Sequence, residues 1–258
     1  MINILPVELF YEEQGTGLPV ILLHGFPYNH TVWQPVASRM ACDARLILPD
    51  LRGHGQSPVT EGVYTMRIMV EDIINLMDRL SLEKVVLVGH SMGGYIALDF
   101  ARAYPSRLAG LGLVASHAAA DSPERKMARY KTAREILKHG VHRYADGNAA
   151  RVTFNPDLAP VLHAIMMTTP PLGAAGAMKG MAERLDSMEL LPQINVPAVV
   201  VLGESDLFIP PEVPETMEQL LPKGWLVKIP ATGHVPMMEK PDEVSEALCD
   251  LLRAVKSQ

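Results

Sequence analysis

The sequence predicts an α/β protein: a mostly parallel central sheet with helices on both faces, interrupted late in the chain by a helical cap. Short aliphatic and β-branched runs bounded by Gly or Pro alternate with longer stretches of helical periodicity, as strand–helix–strand units do. The runs are apolar throughout instead of alternating with polar residues, which is the mark of strands covered on both sides. Between residues 121 and 190 the alternation lapses, and helical patterns continue without a convincing strand. Residues 1–120 and 191–258 are therefore expected to form the core domain and 121–190 the cap.

In chain order, an alternating segment, Val7 to Glu13, opens the sheet. Buried strands are expected at Val20–Leu23, Arg45–Leu48, Lys84–Val88, Leu111–Ala115, Ala198–Leu202 and Trp225–Ile229. A helix is expected over Thr65–Leu80, because Ile68, Met69, Ile73, Leu76, Met77 and Leu80 recur on one face and Thr65 supplies an N-cap. The first cap helix runs from Pro123 to His139 and stops at Gly140, with Met127, Tyr130 and Leu137 on its apolar side and Arg125 and Arg129 largely elsewhere. From 125 to 151, eight Lys or Arg stand against Glu135 and Asp146, a local charge of +6 that could steer anions.

Composition narrows the function classes. With 258 residues, 48% hydrophobic and 20% charged, the chain reads as an ordinary globular protein. Its net charge of −6 argues against a nucleic-acid binder. Two cysteines, Cys42 and Cys249, with no paired spacing, are expected to form neither a disulfide framework nor a four-ligand zinc site, and both are expected to be buried. His139, His142 and His163 lack the carboxylate or Cys spacing of a metal site and are expected at the surface, so no metal is expected. MINILPVELFYEE lacks a basic n-region, and no apolar run approaches the length of a membrane span. The expected location is the cytoplasm, with a small-molecule substrate and no nucleic-acid or membrane partner; the oligomeric state is not legible.

The chemistry concentrates in Lys84–Tyr95, KVVLVGHSMGGY, where a strand runs through Gly89-His90-Ser91-Met92-Gly93 into a helix. This is a nucleophile elbow, a strained turn that lifts the serine to its apex while glycines at 89 and 93 spare collisions with the neighbouring strand and helix. A serine hydroxyl needs a histidine base and an acid to orient that base. Asp206 follows the strand Ala198–Leu202, and His234 follows Trp225–Ile229, in the order Ser, Asp, His. Such strand ends gather at one edge of a parallel sheet. Val20–Leu23 leads into His24-Gly25-Phe26-Pro27. Because Pro27 has no N–H, the oxyanion donors are expected to be the amides of Phe26 and Met92.

HGFP at 24–27, DLRGHGQS at 50–57, GHSMGG at 89–94, the Asp206 turn and GHVPMMEKP at 233–241 together resemble the α/β-hydrolase fold superfamily over nearly the whole chain. Within it the chain is most similar to the esterase, enol-lactonase and cofactor-free haloperoxidase-like group. The resemblance implies a Ser-Asp-His triad under a helical cap, with no cofactor. Haloalkane dehalogenases and epoxide hydrolases share the HG and D-x-R-G-x-G-x-S elements but use an Asp nucleophile, and Ser91 argues against both. Some members of the superfamily take the acid after the strand ending near Ala115, which makes Asp121 a rival to Asp206; Glu204 is another. Asp50, Arg52 and His54 are implied to form a polar turn behind the site, His24 to shape its loop and His90 to pack locally.

The pocket is expected to involve Trp33, His117 and Val235, along with Phe26 and Met92 and some of the cap methionines Met166, Met167, Met178, Met181 and Met188, whose flexible thioethers suit an apolar acyl group. The expected activity is hydrolysis of carboxylic esters with small to medium apolar acyl groups through an acyl-enzyme. A lactone hydrolase of the 3-oxoadipate enol-lactonase kind is the near alternative; it would need a cation for the substrate carboxylate, which the basic cap could supply though no residue identifies it. Perhydrolysis uses the same machinery. Outside the enzymes, a ligand-binding receptor retaining the fold is the rival.

Overall fold

The computed structural model describes residues 5–40 and 44–258, so Cys42 lies outside the described residues. Seven strands build one sheet: β1 (Tyr11–Gly15), β2 (Leu18–Leu23), β3 (Ala44–Pro49), β4 (Val85–His90), β5 (Leu108–Val114), β6 (Ala198–Gly203) and β7 (Gly224–Ile229). Their spatial order is β1-β3-β2-β4-β5-β6-β7. Only β1 runs against its neighbour; the other pairings are parallel. Among the described residues the helices are α1 (Gln34–Ala37), α2 (Met66–Arg79), α3 (Met92–Ala103), α4 (Pro123–His139), α5 (His142–Asn148), α6 (Ala159–Met167), α7 (Pro171–Ala182), α8 (Glu212–Leu220), α9 (Pro236–Glu239) and α10 (Pro241–Lys256).

Successive strand residues sort into two apolar clusters, one on each face of the sheet. Ile21, Leu23, Ile47 and Leu87 pack with Ile73 of α2 and Phe100 of α3. Val20, Leu22, Leu46 and Val88 pack with Val36 of α1 and Leu248 and Leu251 of α10. This period-two division is what puts helices on both sides. From β2 the chain crosses to β3 on one side and then returns to β4 on the other. The loops leaving β2 and β4 therefore diverge at a topological switch point, where open α/β sheets hold their ligands.

Two strands begin three or more residues from where they are expected. β1 begins at Tyr11 because the preceding residues bond elsewhere: the amide of Val7 donates to Asp72 Oδ1 at 2.8 Å and that of Phe10 to Ser57 Oγ at 2.9 Å. β5 begins three residues early, through Gly110 and Gly112, which weaken the strand signal. The sheet wants them there, since a Cβ on Gly110 would lie 2.7 Å from Val255 on α10. As expected, Thr65 caps α2, its hydroxyl accepting from the Ile68 amide at 3.2 Å. Cys249 is half-buried.

The helices α4 to α7 occupy the chain between β5 and β6, and α4 lies along α7. Of the expected apolar side of α4, Met127 and Leu137 are exposed and Tyr130 is half-buried, while Ala133 and Ile136 are buried, so the buried face is rotated from the expected one. Arg129 lies on that inward side and pairs with the buried Asp121.

What seats this insert on the core is α7, PLGAAGAMKGMA, whose glycines bring backbone against backbone. A Cβ at Gly173 would fall 1.9 Å from the Gly53 carbonyl oxygen, and one at Gly180 would fall 1.6 Å from that of Tyr64. The Tyr64 amide in turn donates to the Gly176 carbonyl at 3.1 Å. Gly180→Ala separates two opposing effects. Helix propensity alone stabilises it by about 1 kcal/mol, whereas overpacking costs about 1–3 kcal/mol. Urea unfolding is expected to show a net loss; a gain would mean that α7 does not dock this closely.

Candidate active site

β4 delivers Ser91 at φ 49° and ψ −110°, a conformation that L residues other than glycine rarely adopt. The turn is held from three sides. The Ser91 amide donates to the Val114 carbonyl at 2.9 Å, and the Ser91 carbonyl accepts from the Gly94 amide at 3.0 Å and from Ser116 Oγ at 2.8 Å. The glycines act by their missing side chains: a Cβ at Gly89 would meet the Gly93 carbonyl at 2.2 Å, and one at Gly93 the Leu23 carbonyl oxygen of β2 at 2.5 Å.

His234, on the loop after β7, places Nε2 2.9 Å from Ser91 Oγ. Its Nδ1 lies 2.8 Å from Asp206 Oδ2. The other oxygen of Asp206 accepts from the amides of Phe208 at 2.7 Å and Ile209 at 3.2 Å, which fixes the carboxylate's orientation. With Asp206 Nδ1-facing, the imidazole keeps Nδ1–H towards the acid and leaves Nε2 free to accept from the serine hydroxyl. Asp121 is engaged elsewhere, with Arg129 and Arg184. Glu204 has its backbone amide bonded to the Ile229 carbonyl and its side chain exposed.

The Met92 amide opens α3 immediately after Ser91, and the Phe26 amide lies in the loop after β2, where neither is used by a turn or loop carbonyl. Gly25 brings that loop onto the elbow, since a Cβ there would lie 2.5 Å from His90 Nδ1 and 3.1 Å from Ser91 Cβ. The absence of a side chain at Gly25 thus serves the packing of this loop on the elbow.

A cavity of about 250 Å³ opens in front of Ser91, walled by Phe26, Tyr95, Arg125, Arg129, Tyr144, Val152, Met178, Met181, Phe208 and His234 among others. Of Met166, Met167, Met178, Met181 and Met188, Met178 and Met181 reach it. Trp33 and Val235 do not: both are fully buried in the cluster beneath the sheet, where they pack with α1 and α10. Nor does His117, which lines a separate cavity behind Tyr95 and lies with Nε2 3.1 Å from the Tyr95 hydroxyl. Met92 contributes only backbone here, as its side chain is buried in the core. The wall residues Tyr95, Arg125, Arg129, Tyr144 and Phe208 are not among the pocket residues expected from sequence, although Arg125 and Arg129 belong to the basic run noted there. A signal existed for some: Tyr95 lies one helical turn past Ser91, and Arg125, Arg129 and Thr132 share one face of α4 by their spacing.

Behind the site, Asp50 Oδ1 accepts from the His30 amide at 2.8 Å and lies 2.7 Å from His30 Nδ1. Arg52 is fully buried and grips Asp72 with two nitrogens, at 2.8 and 2.6 Å. His24 Nε2 accepts from the Leu51 amide at 2.9 Å, linking this turn to the loop after β2. His90 Nε2 donates to the His234 carbonyl at 2.7 Å, so it supports the loop carrying His234. His139 faces Glu135 at 3.7 Å and His163 Nε2 lies 2.8 Å from Asp146. Among the described residues, no group of three or more His, Cys, Asp or Glu converges to hold a metal ion.

The model of the alpha/beta hydrolase family matches residues 20–247, and the chain belongs to that family. A thermophilic esterase from Thermogutta terrifontis, solved with malate bound, is 41% identical; the match covers 96% of this chain and 94% of that one, with a TM-score of 0.94. The pimeloyl-[acyl-carrier protein] methyl ester esterase of Sodalis glossinidius is 28% identical over 95% of this chain and 97% of its own length. The enol-lactonase from Burkholderia xenovorans LB400 shares the fold at 24% identity, covering 95% of this chain and 96% of that one, with a TM-score of 0.87. No helix among the described residues is long and apolar enough to cross a membrane.

Burial holds several histidines neutral. Burial, with His54 beside it, pushes His24 down to about 3; burial alone is the main cause that takes His54 to about 4. Burial and the Arg184 charge take His117 to about 3, and burial lowers His90 as well. Only in the unfolded chain do these groups take up protons just below pH 6.5, so their contribution is complete above that pH and declines as pH falls. Each group costs about 1.4 kcal/mol per pH unit well inside that window. His30, raised by its hydrogen bond to Asp50, and Asp72, raised by burial, act in the opposite sense to these four histidines. The urea midpoint is therefore expected to fall steadily from about pH 6.5 to about pH 5, and a flat profile would contradict neutral burial of these rings.

Proposed function

We propose that the protein hydrolyses carboxylic esters through an acyl-enzyme on Ser91. The reading rests on one observation above others, the unbroken chain from Ser91 Oγ through His234 to Asp206, at 2.9 and 2.8 Å, in front of an open cavity. Similarity to an esterase at 41% identity supports it.

In this reading Ser91 Oγ attacks the ester carbonyl while its proton passes to His234 Nε2. The tetrahedral oxyanion accepts from the amides of Phe26 and Met92, donors fixed in place before the charge develops. Collapse breaks the bond to the alkoxy oxygen, which leaves as the alcohol with the proton from His234. Water then enters, loses a proton to the same nitrogen and attacks the acyl carbon; a second collapse releases the acid and restores Ser91 Oγ–H. Asp206 stays ionised throughout, orienting the ring and stabilising the imidazolium. Lactone opening follows the same steps, with the alcohol still tethered to the acyl group.

The test is hydrolysis of p-nitrophenyl esters from acetate to decanoate beside a lactone panel. Ser91→Ala is expected to lower kcat by about 10⁶-fold and Asp206→Asn by about 10⁴-fold. Lactone opening without ester turnover would move the assignment to a lactonase. One turnover followed by tight product retention would mark a binding protein, and full activity in Ser91→Ala would overturn the mechanism.

A further inference from the structure

The wall of the Ser91 cavity holds two cations, Arg125 and Arg129, and no carboxylate. Asp206 stands behind His234 with its side chain 1% exposed, so it offers the cavity little countercharge. Arg129 is itself largely buried, its side chain 16% exposed. Its Nε donates to Asp121 Oδ2, but its Nη1 faces only the sulfurs of Met181 at 3.3 Å and Met178 at 3.9 Å. A thioether is a weak acceptor, and an under-partnered guanidinium in such a place is costly.

Asp121 does not balance the charge. Its single carboxylate serves Arg129, Arg184 at 2.9 Å and Arg125 at 3.6 Å, which is three cations to one anion. The excess sits on the cavity side, because Arg184 is turned towards Tyr95 and His117 while Arg125 and Arg129 line the space in front of Ser91. An adjoining cavity shares Ala128, Thr132, Tyr144 and Asn148 with this one and is bordered by Lys131 and Arg143, with Glu135 as its one acid. An anion would meet favourable charge along this way in.

We propose that the substrate carries a carboxylate beside its scissile ester, as a monoester of a dicarboxylic acid does, and that Arg129, with the half-exposed Arg125, is the counter-ion. This deepens the ester-hydrolase reading and rests on it. It replaces the purely apolar acyl group that the methionines suggest: Met178 and Met181 flank the guanidinium, and the substrate carboxylate supplies the oxygen acceptor they cannot. A planar guanidinium can take a carboxylate through two parallel hydrogen bonds.

The experiment compares kcat/KM for monoethyl glutarate and ethyl pentanoate, followed by pH-stat. The wild type is expected to prefer the anionic ester by about tenfold or more, chiefly through KM, and the preference is expected to shrink as ionic strength rises from about 0.05 to about 0.5 M. Arg129→Gln should bring the ratio close to one, Arg125→Gln should lower it partly, and Arg129→Lys should restore part of it. A wild type indifferent to the carboxylate, or a preference that survives the double Gln variant, would overturn the proposal. Calorimetric titration of the Ser91→Ala protein with glutarate separates the two claims. Arg129-dependent binding without ester turnover in the wild type would sink the hydrolase reading and keep the anion site; ester turnover without preference and without glutarate binding would sink the anion site alone.

Discussion

Ser91 sits in a backbone conformation that costs about 1–3 kcal/mol for a residue of its kind, and the surrounding fold is arranged to hold it there. Its carbonyl is held by Ser116, which can come close because Gly94 has no side chain: a Cβ there would lie 2.3 Å from Ser116 Oγ. Gly93 lets α3 lie on β2, and Gly89 lets β4 turn back beneath α3. The strain has a geometric return. It sets Ser91 at the turn between β4 and α3, with Met92, the first residue of α3, directly after it, which is the arrangement the proposed mechanism uses for nucleophile and oxyanion donor.

The insert is bound to this constellation at several points. The His234 amide donates to the Val152 carbonyl at 2.8 Å, and Thr169 Oγ1 to the Pro27 carbonyl at 2.9 Å. The loop carrying the histidine and the loop after β2 are therefore both anchored to the helical segment. Phe208 and His90 flank the imidazole, with ring centroids 5.1 and 5.2 Å away. With α7 seated backbone to backbone on Gly53 and Tyr64, the insert and the loops bearing Phe26 and His234 are joined by direct contacts, and Arg125 and Arg129 of α4 line the cavity before Ser91.

The sheet was legible in the sequence because parallel strands covered on both faces leave continuous apolar runs, and six of the seven were located to within about three residues, the scatter normal for such boundaries. β1 drifted further, since an edge strand is set by which partners claim its amides, and Asp72 and Ser57 claim those before Tyr11. Ser91, Asp206 and His234 were readable because each stands just past a strand end, although Ser91 and His234 lie 143 residues apart. The pocket was not. Trp33 and Val235 adjoin the site loops in sequence, yet their side chains point into the core beneath the sheet. Arg129 was obscured because a charged residue on a helix usually faces water, and only the tertiary pairing with Asp121 reverses it. The glycines of α7 look like helix weakness until Gly53 and Tyr64 are seen against them.

The most direct test of the central claim is to acylate the enzyme and find the acyl group. Rapid acid quench of the protein with a p-nitrophenyl ester in the pre-steady state, followed by peptide mass spectrometry, is predicted to give an adduct of the acyl mass on the peptide containing Ser91, accompanied by a burst of about one equivalent of p-nitrophenol. Turnover with no burst and no acyl mass on Ser91, or an adduct on another side chain, would contradict it.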